Sequence, residues 1–334
     1  MEVDKIRKDA MKTFSKFLFF AGVTAIISVP LFSAQPESEE PELEIQIPAE
    51  MVIEEPISEI VPQVESVNPY SLEALATREY GQGELRIEYP WHNEAEFTRY
   101  YITYDSDGLN IHGFVNIPVG KGPFPVVIAL HGYIPASEYQ TLDYSSRYAD
   151  AITRKGYIVL HPNLRNFPPS DSADRGRDNQ SGYTADVMNL LAHVKKEAGQ
   201  PGSIFENADL SRMGIWGHSM GGGISLRVIS LVPEIKAAVL YGAVTQRYTN
   251  ASAGYTVTDL ESADVSYSVH HGTADEKVSV TWSYRFCEQL EEMGKEHECF
   301  FYEDAPHTFI RLGLDEPVFI KRTVDFYERI LRGN

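Results

Sequence analysis

The chain has 334 residues, 43% of them hydrophobic, and a formal net charge of −19 at pH 7. This length and composition accommodate one large α/β domain with additional segments. The acidic balance argues against nucleic acid as a partner, because phosphate binding needs clustered Lys and Arg side chains.

The N-terminal segment, residues 1–35, has the order of charged and apolar residues found in export signals. Five basic residues precede an uncharged apolar run from Phe17 to Ala34, as in a secretory signal or membrane anchor. The end of this run matches a cleavage site poorly, and its length is near the lower limit for spanning a bilayer. We therefore expect an exported, extracytoplasmic protein, membrane-anchored by this segment or secreted after its cleavage.

The following segment, residues 36–66, is acidic and rich in proline. It contains ten acidic residues and no Lys or Arg. Repeated prolines prevent a regular helix, and like charges extend the chain. The pattern predicts a disordered spacer, with a folded domain over residues 67–334.

The folded region begins with strand patterns and continues with alternating strands and helices. Glu84–Tyr89, Phe97–Tyr104 and Leu109–Ile117 predict antiparallel leading strands. The continuous Val/Ile/Leu run Pro125–Leu130 is typical of a strand covered by helices on both faces. The alternation that follows predicts a doubly wound, mostly parallel sheet in the α/β class. Further strands are predicted at Tyr157–His161, Ile235–Tyr241, Val265–His271 and Glu298–Tyr302.

Gly217-His218-Ser219-Met220-Gly221 lies between an apolar strand pattern and a helical pattern. A strand that turns into a helix within one residue strains the central serine, and small neighbours let the chain pass without collision. This is the pattern of a nucleophile elbow, in which the N–H of Met220 faces a developing oxyanion. The alternative is a tight glycine turn whose serine only caps the helix.

A serine hydroxyl needs a base to become a nucleophile, and the base needs an orienting acid. In sheets with an elbow, these partners follow in the order Ser, acid, His on loops after strands. Asp275 follows the predicted strand Val265–His271, and His307 follows the last predicted strand. We predict Ser219, Asp275 and His307 as the catalytic residues. Glu276 is the best rival acid, and a plain surface role is the alternative for His307.

Three further residues lie next to these loops. The backbone N–H of Tyr133, after the strand that ends in His131-Gly132, is the expected second oxyanion donor beside Met220. An ordinary turn after a buried strand is the alternative there. His131 is expected to form structural hydrogen bonds. His218 is too close to Ser219 along the chain to reach its oxygen, so we expect it to pack within the elbow.

The two cysteines, Cys287 and Cys299, could pair in an exported protein. The first is expected on a helix and the second on the following strand. A helix axis stands roughly 10 Å from the sheet that it covers, while bridged Cα atoms are usually ~4.4–6.8 Å apart. We therefore favour two unpaired thiols, although a helix leaning onto this strand would allow a bond.

Several motifs together carry a family resemblance. They are Ser106-Asp107-Gly108-Leu109, Gly122-Pro123-Phe124-Pro125, His131-Gly132, Pro162-Asn163-Leu164-Arg165, Trp216-Gly217-His218-Ser219-Met220-Gly221-Gly222, His271-Gly272-Thr273-Ala274-Asp275 and His307. On these motifs, about 230 C-terminal residues resemble the α/β-hydrolase fold. Within that fold they resemble the catalytic domain of the prolyl oligopeptidase family and its esterase-like relatives.

The resemblance carries expectations for the fold and the site. It implies an α/β-hydrolase domain over residues 67–334. About twenty residues lie between the strand that ends near Gly242 and the strand that starts near Val265, which is too few for a large helical lid. Ser219, Asp275 and His307 match the triad positions of the family, and Tyr133 and Met220 match its oxyanion positions. The dienelactone hydrolases are similar too, but they use a cysteine nucleophile where this elbow has serine.

Two departures from the peptidases bear on the substrate. Those peptidases carry a β-propeller before the hydrolase domain, whereas only about a hundred residues precede the sheet here. They also usually have Tyr after the nucleophile, where this chain has Met220, as esterases often do. We therefore expect a serine esterase that forms an acyl-enzyme on a small-molecule carboxylic ester.

Two other functions stay open. A small-peptide hydrolase of the same family would need a carboxylate pair for a free α-amine, and the sequence identifies none. The third hypothesis is a catalytically inactive binding domain on a stalk, and the complete triad argues against it. No zinc-ligand spacing or phosphate-binding glycine loop is present in the sequence, so we expect no metal and no cofactor.

Overall fold

The computed structural model describes residues 69–173, 182–245, 260–309 and 315–333. All of them belong to a compact unit, Gln63–Asn334. The expected anchor (residues 1–35) and spacer (residues 36–66) lie outside the described residues. So do residues 246–259, which are most of the stretch between Gly242 and Val265 whose short length predicts that there is no large lid. No helix among the described residues has the length and apolarity needed to span a bilayer.

The centre of the fold is a sheet of nine strands. In chain order they are β1 (Leu85–Asn93), β2 (Phe97–Ser106), β3 (Leu109–Pro118), β4 (Phe124–Leu130), β5 (Ile158–Pro162), β6 (Ala208–His218), β7 (Ile235–Tyr241), β8 (Ser266–Gly272) and β9 (His297–Tyr302).

The strand order is β1-β2-β3-β5-β4-β6-β7-β8-β9. The first three strands pair antiparallel, and β3 is also antiparallel to β5. From β5 across to β9, all neighbours are parallel. This confirms the predicted doubly wound, mostly parallel sheet with antiparallel leading strands. Because parallel strands end at the same edge, the loops after β4, β6, β7, β8 and β9 meet there.

Helices cover both faces of the sheet, as the continuous apolar strand patterns require. Val187 and Leu226 belong to the core on one face, while Tyr148 and Tyr327 belong to the core on the other. The central strand β4 is buried from its second residue to its last, because neither of its faces reaches water. The helices are α1 (Leu72–Thr77), α2 (Ser145–Thr153), α3 (Gly182–Glu197), α4 (Met220–Ile229), α5 (Val280–Glu292) and α6 (Asp315–Arg332).

A disulfide joins Cys287 on α5 to Cys299 on β9, so the expectation of two free thiols is wrong. The two Cα atoms are 6.6 Å apart, within the usual range for a bridge. The prediction used the distance from the helix axis to the sheet. Cα atoms on the side of a helix that faces the sheet lie about 2.3 Å nearer to it than the axis does. Phe286 and Leu290 are buried, and Cys287 packs against the same core. The bridged residues are 12 apart, so closing this short loop stabilises the fold by about 3 kcal/mol.

Candidate active site

Ser219 forms the turn between β6 and α4. The strand ends at His218 and the helix starts at Met220, with Ser219 at φ 54° and ψ −116° between them. A non-glycine residue rarely adopts this conformation, which stores strain that the surrounding structure must hold. A Cβ atom on Gly221 would lie 2.3 Å from the carbonyl oxygen of Leu130. The close passage of the helix past β4 therefore requires glycine, and the predicted elbow geometry is present.

The backbone of Ser219 is tied to the end of the neighbouring strand. Its N–H donates to the carbonyl of Tyr241 at 2.9 Å, and its carbonyl accepts from the N–H of Val244 at 3.0 Å. The side-chain hydroxyl has no hydrogen-bond partner among the described residues. A serine oxygen in such a position is available to a ligand, and apo structures often show looser contacts at a nucleophile than reacting complexes do.

His307 and Asp275 form a close pair on the loops after β9 and β8. His307 Nδ1 lies 2.7 Å from Asp275 Oδ2. A carboxylate only accepts, so Nδ1 carries the hydrogen and the lone pair of a neutral imidazole is on Nε2. The side chain of Asp275 is fully buried and that of His307 is 11% exposed. This is the arrangement in which an acid orients a base.

The carboxylate of Asp275 is held by three further donors. Its Oδ1 accepts from the backbone N–H groups of Lys277 and Val278, both at 2.8 Å. Its Oδ2 also lies 2.9 Å from Nε2 of His271. Burial raises the pKa of Asp275, but the hydrogen bonds from His271 and His307 outweigh burial and hold this pKa well below its usual range. The acid therefore stays ionised beside the imidazole.

Sequence reasoning missed His271. It stands at the end of β8, four residues before Asp275, and its other ring nitrogen lies 2.7 Å from Ser283 Oγ. Its Nε2 also faces the carbonyl of Val278 at 3.0 Å, so Nε2 is the donor. The available signal was its place in His271-Gly272-Thr273-Ala274-Asp275, which brings a strand-end side chain back to the acid.

Glu276, the rival acid, has a different partner. Its carboxylate accepts from the backbone N–H of His307 at 3.2 Å, and it has no hydrogen bond to the imidazole ring. The structure therefore places Asp275 against the ring and Glu276 against the backbone of the same residue.

The two remaining histidines near the elbow are both buried. His131 has Nδ1 at 2.8 Å from the carbonyl of Gly132 and Nε2 at 2.7 Å from that of Asn163, which matches the structural role predicted for it. His218 does more than pack within the elbow. It contacts the hydroxyl of Tyr144 through Nδ1 and the backbone carbonyl of His307 through Nε2, the latter at 3.1 Å.

The two backbone N–H groups predicted for the oxyanion flank Ser219. Met220 opens α4 at the positive end of the helix. Tyr133 follows Gly132, where an added Cβ atom would lie 3.1 Å from Cβ of Ser219. Neither N–H has an acceptor in the parts of the chain that the structure describes. The side chain of Tyr133 is 63% exposed, so it borders the open side of the site.

Within the described residues, no group of three or more His, Cys, Asp or Glu side chains is placed to hold a metal ion. The groups gathered at the carboxyl ends of β4, β6, β8 and β9 are instead a strained serine, an oriented imidazole and two unpaired N–H donors. Together with the sheet topology, they define an α/β-hydrolase. Residues 111–328 match the dienelactone hydrolase family, and the chain belongs to that family.

Curated relatives match over shorter regions. Chlorophyllase-2 of Arabidopsis thaliana is 29% identical over 135 residues, which cover 38% of this chain and 37% of that protein. An uncharacterised 31.7 kDa protein of Escherichia coli is 28% identical over 107 residues, or 32% of this chain and 33% of that protein. The matched regions thus span little more than a third of these relatives.

Solved structures share the fold. An esterase of Pyrococcus furiosus has a TM-score of 0.57 at 17% identity, covering 70% of this chain and 92% of that one. An acylaminoacyl peptidase of Pyrococcus horikoshii has a TM-score of 0.56 at 16% identity, covering 72% of this chain but only 43% of that one. These likenesses confirm the predicted α/β-hydrolase fold.

Proposed function

We propose that this hydrolase is a serine esterase that cleaves small-molecule carboxylic esters through an acyl-enzyme. The observation that carries the proposal is the 2.7 Å contact between His307 Nδ1 and the buried Asp275 carboxylate. His307 also contacts His218, the residue before the strained Ser219. Each member of this set has the chemistry that its role needs: a nucleophile, a base whose free nitrogen is Nε2, and an acid that stays ionised.

The reaction follows from these positions. Ser219 Oγ attacks the ester carbonyl carbon and passes its proton to His307 Nε2. The N–H groups of Tyr133 and Met220 bind the carbonyl oxygen as it becomes an anion. The bond from the carbonyl carbon to the alkoxy oxygen then breaks, and His307 returns the proton to the leaving alcohol. Water repeats the sequence on the acyl-Ser219 and releases the acid.

The acids near the site favour an ester over a peptide with a free amine. Asp275 is fully buried and saturated by hydrogen bonds, and Glu276 is engaged by the backbone of His307. Among the described residues, no unoccupied carboxylate pair stands beside the nucleophile to hold an α-ammonium group. The structural similarity to an esterase of Pyrococcus furiosus agrees with this choice, whereas the similarity to an acylaminoacyl peptidase of Pyrococcus horikoshii points the other way.

A side-by-side assay tests the substrate class. We expect the full chain to hydrolyse nitrophenyl esters far faster than aminoacyl-nitroanilides, measured as kcat/KM over a series of acyl chain lengths. The physical reason is that the amine of an aminoacyl group gains no ion pair in this site. Faster turnover of the nitroanilides would replace the esterase proposal by the small-peptide hydrolase.

We further propose that residues 1–35 tether or export the chain, so that the esterase acts outside the cytoplasm. The basic flank and apolar run of this segment support the proposal. We expect the full chain to fractionate with membranes, and a variant that begins near Ser66 to be soluble and equally active. A loss of activity in the shortened variant would mean that residues 36–66 belong to the folded domain.

A further inference from the structure

A chain of hydrogen bonds links the loop after β4 to the loop that carries His307. The backbone N–H of Gly132 donates to the hydroxyl oxygen of Tyr144 at 2.7 Å. That hydroxyl contacts Nδ1 of His218, and Nε2 of His218 lies 3.1 Å from the carbonyl oxygen of His307. We call this linkage, from Gly132 through Tyr144 and His218 to His307, the Tyr144–His218 bridge.

The positions of the protons follow from the partners. The carbonyl oxygen of His307 only accepts, so Nε2 of His218 carries a hydrogen. The ring of His218 is 3% exposed, and burial together with the adjacent His307 lowers the pKa of His218 to about 3. A neutral imidazole has one N–H, so Nδ1 accepts and the hydroxyl of Tyr144 donates to it. All hydrogen bonds of the bridge therefore point from Gly132 towards His307, and each polar group in the bridge has a partner.

The bridge fixes the backbone on which the base is mounted. Glu276 accepts the N–H of His307, while His218 donates to its carbonyl. The backbone of His307 is therefore clamped on both sides, and its side chain is directed by Asp275. The other end of the bridge holds Gly132, the residue before the proposed oxyanion donor Tyr133.

The packing around the bridge leaves little slack. A Cβ atom on Gly132 would lie 2.9 Å from both the hydroxyl of Tyr144 and Nδ1 of His218. The rings of His218 and His307 have centroids 4.6 Å apart. Because His307 gains a positive charge during catalysis, a neutral His218 at this distance avoids repulsion between two imidazolium rings.

We propose that Tyr144 and His218 are positioning residues, whose bridge sets the distance between the oxyanion loop and the base so that both meet the same carbonyl group. The inference rests on the proposed serine esterase and adds to it two residues outside the triad. A displacement of about 1 Å between groups that act on one substrate can cost on the order of a hundredfold in rate, and the bridge prevents such a displacement.

Tyr144→Phe removes only the hydroxyl that joins Gly132 to His218. We expect the rate constant of the nitrophenol burst, which reports acylation of the full chain, to fall by about tenfold to a hundredfold. The number of working sites, counted by reaction to completion with a fluorophosphonate, should stay as in wild type, whereas mere unfolding would reduce that number. Tyr139→Phe is the matched control, because its buried hydroxyl has no hydrogen-bond partner in the described structure. An equal burst rate in wild type and Tyr144→Phe, or an equal loss in both variants, would overturn the proposal.

A double-mutant cycle separates a bridge from two independent contacts. In His218→Gln, the amide can still donate to the carbonyl of His307 but has no acceptor in the place of Nδ1. Adding Tyr144→Phe should then cost less than threefold more, since residues that act as one unit are not additive. Losses that multiply would show that the two residues act separately and would contradict the bridge.

A readout that needs no turnover distinguishes this inference from the esterase proposal. Nitrogen NMR of the imidazoles at pH 7 should show His218 neutral with its hydrogen on Nε2 in wild type. A hydrogen on Nδ1, or an imidazolium, would refute the bridge even in an active enzyme. Absence of ester turnover in wild type would refute the proposed function, and the tautomer of His218 would then decide the bridge.

Discussion

Ser219→Ala is expected to lower kcat on an activated short-chain ester by roughly 10³-fold or more. Alanine keeps the Cβ atom, so the strained turn gains no new collision. The hydroxyl that is lost has no partner among the described residues, so no buried donor or acceptor is left unsatisfied. The free energy of unfolding, measured in urea, should therefore change little while the activity collapses.

Companion variants sharpen this test. His307→Ala should cost a similar factor, and the double variant little more than either single one, because a nucleophile and its base act as a unit. Ser230→Ala is the matched control, since Ser230 lies at the opposite end of α4 and donates to the carbonyl of Leu226. Retention of most esterase activity in Ser219→Ala would remove the triad assignment.

Asp275→Asn is expected to lower kcat by about 10²-fold to 10⁴-fold. Both carboxylate oxygens accept two hydrogen bonds each, from His271 and His307 on one side and from two backbone N–H groups on the other. Either orientation of an amide turns an NH₂ group against two donors. The backbone N–H groups cannot become acceptors, whereas the imidazoles can change tautomer, so we expect the NH₂ group to face the rings. The imidazole of His307 then loses its acceptor and the tautomer in which Nε2 is the base. Unsatisfied buried donors should also cost about 1–3 kcal/mol of stability.

Glu276→Gln is the control for the acid. The amide oxygen of glutamine can still accept from the backbone N–H of His307, so we expect kcat to stay within a few-fold of wild type. The comparison uses steady-state kinetics of both variants with one ester, together with their urea midpoints. A larger loss in Glu276→Gln than in Asp275→Asn would exchange the roles of the two acids.

The sheet and the three loops that follow its strands could be predicted because they depend on the order and spacing of residues along the chain. Strand-like runs locate the carboxyl ends of the strands, and a chain that alternates strand and helix brings those ends to one edge. Ser219, Asp275 and His307 each follow a strand, so their convergence required no knowledge of side-chain contacts. Their catalytic roles stay predictions, and the geometry supplies the reason to test them.

The contacts that could not be predicted join residues by packing alone. Tyr144 and His218 are 74 positions apart in the sequence, and no local sequence pattern predicts a contact between them. His271 precedes the acid along the chain, where the order Ser, acid, His predicts no catalytic residue, but the turn after β8 brings its ring to Asp275. The prediction of unpaired cysteines was wrong for a related reason, because a general helix-to-sheet distance does not show which side of a helix a given cysteine occupies.

Trapping the acyl-enzyme tests the central claim most directly. The full chain is mixed with a nitrophenyl ester, quenched in acid within the burst, digested and analysed by mass spectrometry. The esterase proposal predicts one acyl group on the peptide that contains Gly217-His218-Ser219-Met220-Gly221, located on Ser219, and none in Ser219→Ala. An acyl group on another residue, or a nitrophenol burst that leaves no covalent adduct, would contradict it.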